Sequence, residues 1–120
     1  MAFRFEELRV WNEALRLCNE IDLLTKTFPK EELYSLSSQI KRAADSVVLN
    51  IAEGSTGQSV PEYKRFLKIA LRSGIEVVAC LFIAKERKYI EQGIFQKYYT
   101  EYDILCKMTT KLIQSMSSKS

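Results

Sequence analysis

Apolar residues recur along this chain at spacings of three and four in four long blocks, each of which predicts a helix. The first block runs from Phe5 to Lys26, with Leu8, Val10, Trp11, Ala14, Leu15, Leu17, Cys18, Ile21 and Leu24 on the apolar side. At about 100° per residue these positions sweep an arc of roughly 200°. A single buried face needs a stripe of about 100° or somewhat more. The excess predicts a second contact, with another subunit, through Val10, Leu17 and Leu24. Asp22 falls inside the arc and is expected to find a cationic or hydrogen-bonding partner.

Thr27-Phe28-Pro29-Lys30 interrupts the pattern, because proline ends one helix or opens the next element. The second block spans Leu36 to Glu53, with a possible extra turn from Glu31. Leu36, Ile40, Ala43, Ala44, Val47 and Ile51 form its inner stripe, and Gly54 stands where a C-terminal cap is expected. The third block opens on Ser59-Val60-Pro61-Glu62, a capping box with proline in the first turn, and extends toward Lys88. Its inner face is Tyr63, Phe66, Leu67, Ala70, Gly74, Val77, Val78 and Leu81. Its outer face is basic in the first half and apolar in the second, at Ile75, Ala79, Phe82 and Ile83. A helix that is apolar all round is buried all round. A peripheral helix of a small bundle cannot achieve that alone, so Ile75, Phe82 and Ile83 are also expected at a subunit interface. The fourth block begins near Glu91 or Gly93 and ends near Met116, with Ile94, Tyr98, Tyr102, Leu105, Leu112 and Met116 inward. Four long helices with short links predict an all-α, up-and-down antiparallel four-helix bundle, one domain over residues 1–120.

Composition narrows the chemistry. The 120 residues include four glycines, two prolines and no histidine. Without histidine the commonest general base and the commonest nitrogen ligand for a metal are missing, and so is the Glu-x-x-His pair of di-iron bundles. No phosphate-binding loop and no GxGxxG occurs, so no cofactor is expected. Cys18, Cys80 and Cys106 are far apart and outside any CxxC pattern, which reads as reduced structural thiols. An enzyme built on Glu53, Glu76 and Asn50 is the weakest reading, since no nucleophile or metal site accompanies them. The chain opens without the apolar run of a secretory signal, and no block reaches the ~20 apolar residues of a membrane span. The expectation is a cytoplasmic protein without membrane contact.

The net charge of +3 is unevenly distributed. Residues 55–90 carry seven cations against three anions, whereas residues 1–28 and 29–54 each carry a net −1. Lys64, Lys68 and Arg72 follow an i, i+4, i+8 line with Arg65 beside it, and Lys41 and Arg42 add a smaller basic point on the second helix. The functional reading is contact with nucleic-acid phosphates; the bland one is a solvated face with Arg72 paired to Glu76. Symmetry would sum repeated patches into a stronger field. The patch holds few aromatics, so neither base stacking nor sequence readout is expected. Gln39, Arg42, Ser46, Asn50 and Glu53 form a polar stripe on the second helix. It reads either as a network to Ser73 and Glu76 on the third helix or as a small site for a ligand or a protein partner.

The run Gln39-Ile40-Lys41-Arg42-Ala43-Ala44, then Ser46, then Asn50-Ile51-Ala52-Glu53-Gly54, resembles the signature of the four-helix bundle proteins named for intervening sequences in bacterial 23S ribosomal RNA. Phe5, Leu8, Val10 and Trp11 are similar to that family's opening pattern. Phe28-Pro29 with Glu32 and Leu36 resembles its first link, and Phe66-Leu67 with Ala70, Ser73 and Glu76 its third helix. Asp22 stands where the family tends to have tyrosine, and Ser35 and Arg72 where it tends to have glycine. The resemblance implies an up-and-down bundle that assembles as a ring-like homopentamer and has no enzymatic activity. The family is similar to the accessory variability protein of diversity-generating retroelements, a pentameric bundle that binds nucleic acid and a reverse transcriptase. The functional expectation is a homo-oligomer that binds RNA or DNA, with a protein–protein scaffold as the alternative.

Overall fold

The computed structural model describes residues 3–57 and 59–116. Four helices form, α1 (Arg9–Thr25), α2 (Leu36–Gly54), α3 (Val60–Glu86) and α4 (Gln92–Ser115), with no strand among the described residues. They lie side by side in a body 46 × 24 × 22 Å. The long axis suits the 27 residues of α3, which rise ~1.5 Å each. Of the helix pairs in extended contact, α2–α3 is the largest and α1–α4 the smallest.

The predicted stripes supply the core. Ala14, Leu17 and Ile21 of α1, Ile40, Val47 and Ile51 of α2, Leu67, Val77 and Leu81 of α3, and Tyr102 and Leu105 of α4 are all buried. Two assignments change. On α4, Phe95 is buried and Ile94 is exposed, because the phenyl ring packs edge-on against Phe82 of α3. On α1, Val10 and Leu17 fill the chain's own core and are not available to another subunit. The surplus of the apolar arc emerges instead at exposed Leu15.

Element ends differ from the sequence expectation for local reasons. Residues Arg4–Glu7 form a 3-10 turn, and Leu8 is extended before α1 begins. Asn12 Nδ2 donates to the carbonyls of both Glu6 and Leu8, which holds this break. Lys30–Glu32 is likewise a 3-10 turn and not an extension of α2. Ser59 accepts from the Glu62 N–H as expected, but the Glu62 carboxylate turns to Arg65 at 2.7 Å and does not complete the box. Gly54 is the last residue of α2 and has no positive φ. Its role is close approach: a Cβ there would lie 3.0 Å from Phe66 Cβ and Tyr63 Cδ1 of α3. The chain turns out of α3 through Lys88 at φ 64°, where the Tyr89 N–H bonds the Ala84 carbonyl and the Lys88 N–H bonds that of Lys85. This is a Schellman closure with lysine at the left-handed position.

Candidate nucleic-acid interface

α3 is pinned to α2 by its inner stripe, and Lys64, Lys68 and Arg72 follow one another a turn apart away from it, Lys64 half-buried at the flank and Lys68 and Arg72 exposed. Among the described residues none of the three has a carboxylate oxygen within 4.0 Å. The expected Arg72–Glu76 pair does not form, because the Glu76 carboxylate accepts from Gln39 Nε2 at 3.3 Å. Arg65 is engaged, with Glu62 on one side and the Phe66 ring 4.5 Å from its guanidinium carbon on the other. Pro61, Lys64, Arg65 and Lys68 border a shallow depression of about 310 Å³.

Lys41 and Arg42 separate, since adjacent helical residues point about 100° apart. Lys41 turns to α1, where its Nζ lies 3.6 Å from Asp22, which Lys26 also approaches at 3.4 Å. The acid inside the apolar arc thus has its cationic partners, and Lys41 leaves the basic face. Arg42 turns toward α3 and shares a polar cavity with Tyr34, Ser35, Ser38, Gln39 and Glu76.

Most of the polar stripe is a network between α2 and α3. Ser46 and Ser73 hydroxyls lie 2.8 Å apart, and Asn50 Nδ2 donates to the Ser46 carbonyl and hydroxyl. Glu53 is exposed and stands apart from this network. Gln39–Glu76 and Ser46–Ser73 fix an antiparallel register, and Glu53 lies fourteen residues from Gln39, or about 21 Å along α2. Glu53 and Glu76 are therefore at opposite ends of the helix pair and cannot act as a pair of acids on one substrate. The cysteines are poor nucleophiles. Burial raises the thiols of Cys80, to about 11, and Cys106, and burial with the Asp45 carboxylate 2.9 Å away lifts Cys18 to about 12.

The opposite half of α3 is apolar and accessible. Ile75 is 57% exposed and Phe82 48%. Phe82, Phe95 and Tyr99 form an aromatic cluster, with Lys85 Nζ 4.5 Å from the Phe95 ring centre. A groove of about 170 Å³ runs alongside, between Ile75 and Val78 of α3 and Tyr99, Asp103 and Cys106 of α4. Leu24 is half-buried against the core. Of the six interface positions expected from the sequence, Ile75, Phe82 and Ile83 are the exposed ones. No helix among the described residues is long and apolar enough to cross a membrane.

A crystal structure of a protein of unknown function from the S23 ribosomal protein family of Bacteroides thetaiotaomicron is similar in fold, with a TM-score of 0.81 at 24% identity. The match covers 87% of this chain and 97% of that one. No curated protein is significantly similar to the chain. The profile of the 23S rRNA-intervening sequence proteins matches residues 6–111, a span that takes in all of α1, α2 and α3 and most of α4. The chain belongs to the 23S rRNA-intervening sequence protein family.

Proposed function

We propose that this protein is a non-enzymatic, homo-oligomeric bundle that binds RNA or DNA through phosphate contacts on α3. The observation that carries the reading is the line Lys64, Lys68 and Arg72, three cations without a carboxylate partner among the described residues. Unneutralised lysine and arginine at helical spacing attract polyanions, and the release of condensed counterions drives the binding. The family resemblance implies a pentamer, in which five copies of the line would add to one field. The exposed Ile75, Phe82 and Ile83 supply an apolar contact between copies. The same apolar surface is what favours the second reading, a scaffold for another protein.

The test compares the wild type with the triple variant Lys64→Glu, Lys68→Glu, Arg72→Glu on structured RNA and duplex DNA across a salt series. The expected result is steep loss of wild-type affinity with salt and no measurable binding by the variant, at unchanged native mass. Unchanged affinity in the variant removes α3 from the interface. A wild type that binds neither RNA nor DNA points to a protein partner.

A further inference from the structure

Tyr34 is 92% exposed, an unusual position for a tyrosine ring. It stands just after the 3-10 turn Lys30–Glu32, whose Glu32 is anchored in the fold by Arg87 and Tyr89. The backbone that carries Tyr34 is thus anchored, and its ring projects into solvent. It borders the cavity of about 320 Å³ that Ser35, Ser38, Gln39, Arg42 and Glu76 complete. Arg42 has no carboxylate oxygen within 4.0 Å among the described residues. Its charged wall residues are Arg42 and Glu76, the latter held by Gln39 Nε2 at 3.3 Å, and Glu76 stands one turn beyond Arg72 on α3, about 6 Å along the axis.

We infer that this cavity is a subsite for one unpaired nucleotide, whose base stacks on Tyr34 and whose phosphate meets the Arg42 guanidinium. Gln39 and Ser38 offer donors and acceptors to the base edge. A base within a duplex has both faces covered by its neighbours, so Tyr34 can stack only on one that is single-stranded or turned out. The inference rests on the nucleic-acid reading above and adds to it a preference for single strands. The basic patch on α3 holds few aromatics; Tyr34 instead lines a cavity with Arg42 and with Glu76, one turn beyond Arg72.

The experiment measures binding of a ten-nucleotide single strand carrying 2-aminopurine, and of a duplex of the same length, to the wild type, Tyr34→Ala and Arg42→Gln. Stacking on an aromatic contributes enough that Tyr34→Ala should weaken the single strand about tenfold and leave the duplex unchanged. It should also abolish the fluorescence quench of the bound 2-aminopurine. Arg42→Gln should lower the slope of log affinity against log salt by about 0.7 on the single strand. Wild-type affinity in Tyr34→Ala, equal losses on both strands, or a change in native mass overturns the subsite; the last would make Tyr34 a subunit contact. The two readings fail separately. If the α3 triple variant binds normally while Tyr34→Ala does not, the charge track falls and the subsite stands. The reverse pattern removes the subsite and keeps the track. A wild type that binds no single strand removes the subsite outright.

Discussion

Glu32 shows how one side chain ties distant segments together. It is only 8% exposed and accepts from Tyr89 Oη at 2.6 Å, Ser35 Oγ at 2.7 Å, Arg87 Nη1 at 2.8 Å and the Leu36 N–H at 3.3 Å. The link after α1 is thereby fastened to the link after α3. Hydrogen bonds from Tyr89 and Ser35, with help from Leu36 and Arg87, hold its pKa down to about 2, against 4.5 for a free glutamate. A carboxyl group with a depressed folded pKa stabilises the fold above its unfolded pKa. That contribution is lost as pH falls from about 4.5 toward about 2. Urea midpoints measured from pH 7 to pH 2 should therefore fall less steeply for Glu32→Gln than for the wild type, with the variant less stable at pH 7. Parallel curves for the two proteins would remove Glu32 from the acid response.

At the scale of elements, two glycines set how closely α3 is approached. At Gly54 a Cβ would meet Phe66 Cβ and Tyr63 Cδ1 at 3.0 Å and the Tyr63 carbonyl at 3.3 Å, of which Phe66 Cβ and the carbonyl are fixed by the α3 backbone. At Gly74 the single close atom is Cys106 Sγ at 3.0 Å, the end of a side chain that can turn about χ1. Overpacking against fixed atoms costs ~1–3 kcal/mol, whereas alanine gains ~1 kcal/mol over glycine inside a helix. Gly54→Ala should be destabilising by ~1–3 kcal/mol in urea unfolding, and Gly74→Ala should stay within ~1 kcal/mol of the wild type. Equal losses at both sites would contradict this account of the packing. The α1–α4 seam, the smallest of the extended helix pairings, relies on polar contacts. Glu20 accepts from Tyr98 at 3.0 Å and Lys97 at 3.3 Å, and Arg16 bridges Glu13, Glu20 and Glu101.

For the whole molecule the decisive feature is the apolar surface that the bundle leaves open on α3 and α4. Ile75, Phe82, Ile83 and Tyr99 are accessible while the core beneath them is complete. In the proposed assembly a second copy covers them. Phe82→Glu with Ile83→Glu should give monomers or aggregates by light scattering. Phe82 also touches Phe95 and Tyr99 of its own chain, so Ile75→Glu serves as the milder variant. It should lower native mass while helicity by circular dichroism stays at the wild-type level. Wild-type mass in both variants would place the subunit contact elsewhere.

The sequence by itself determined four helices and nearly all of their inner faces, because spacing of three and four is a property of one helix and needs no neighbour. It also exposed the basic line on α3 and the polar stripe on α2, since both are single-helix patterns. Tertiary structure decided which apolar residues on an over-wide stripe turn inward, so that Val10 and Leu17 join the core and Leu15 does not. Helical pitch places those residues on one arc, but only the neighbouring helices show where the arc is covered. Packing likewise made Gly54 a point of close approach, sent Lys41 to Asp22, and left Arg42 beside Tyr34. The first two depend on the register between two helices, which is fixed by side chains far apart in the chain, and the third on how the link before α2 folds back against that helix.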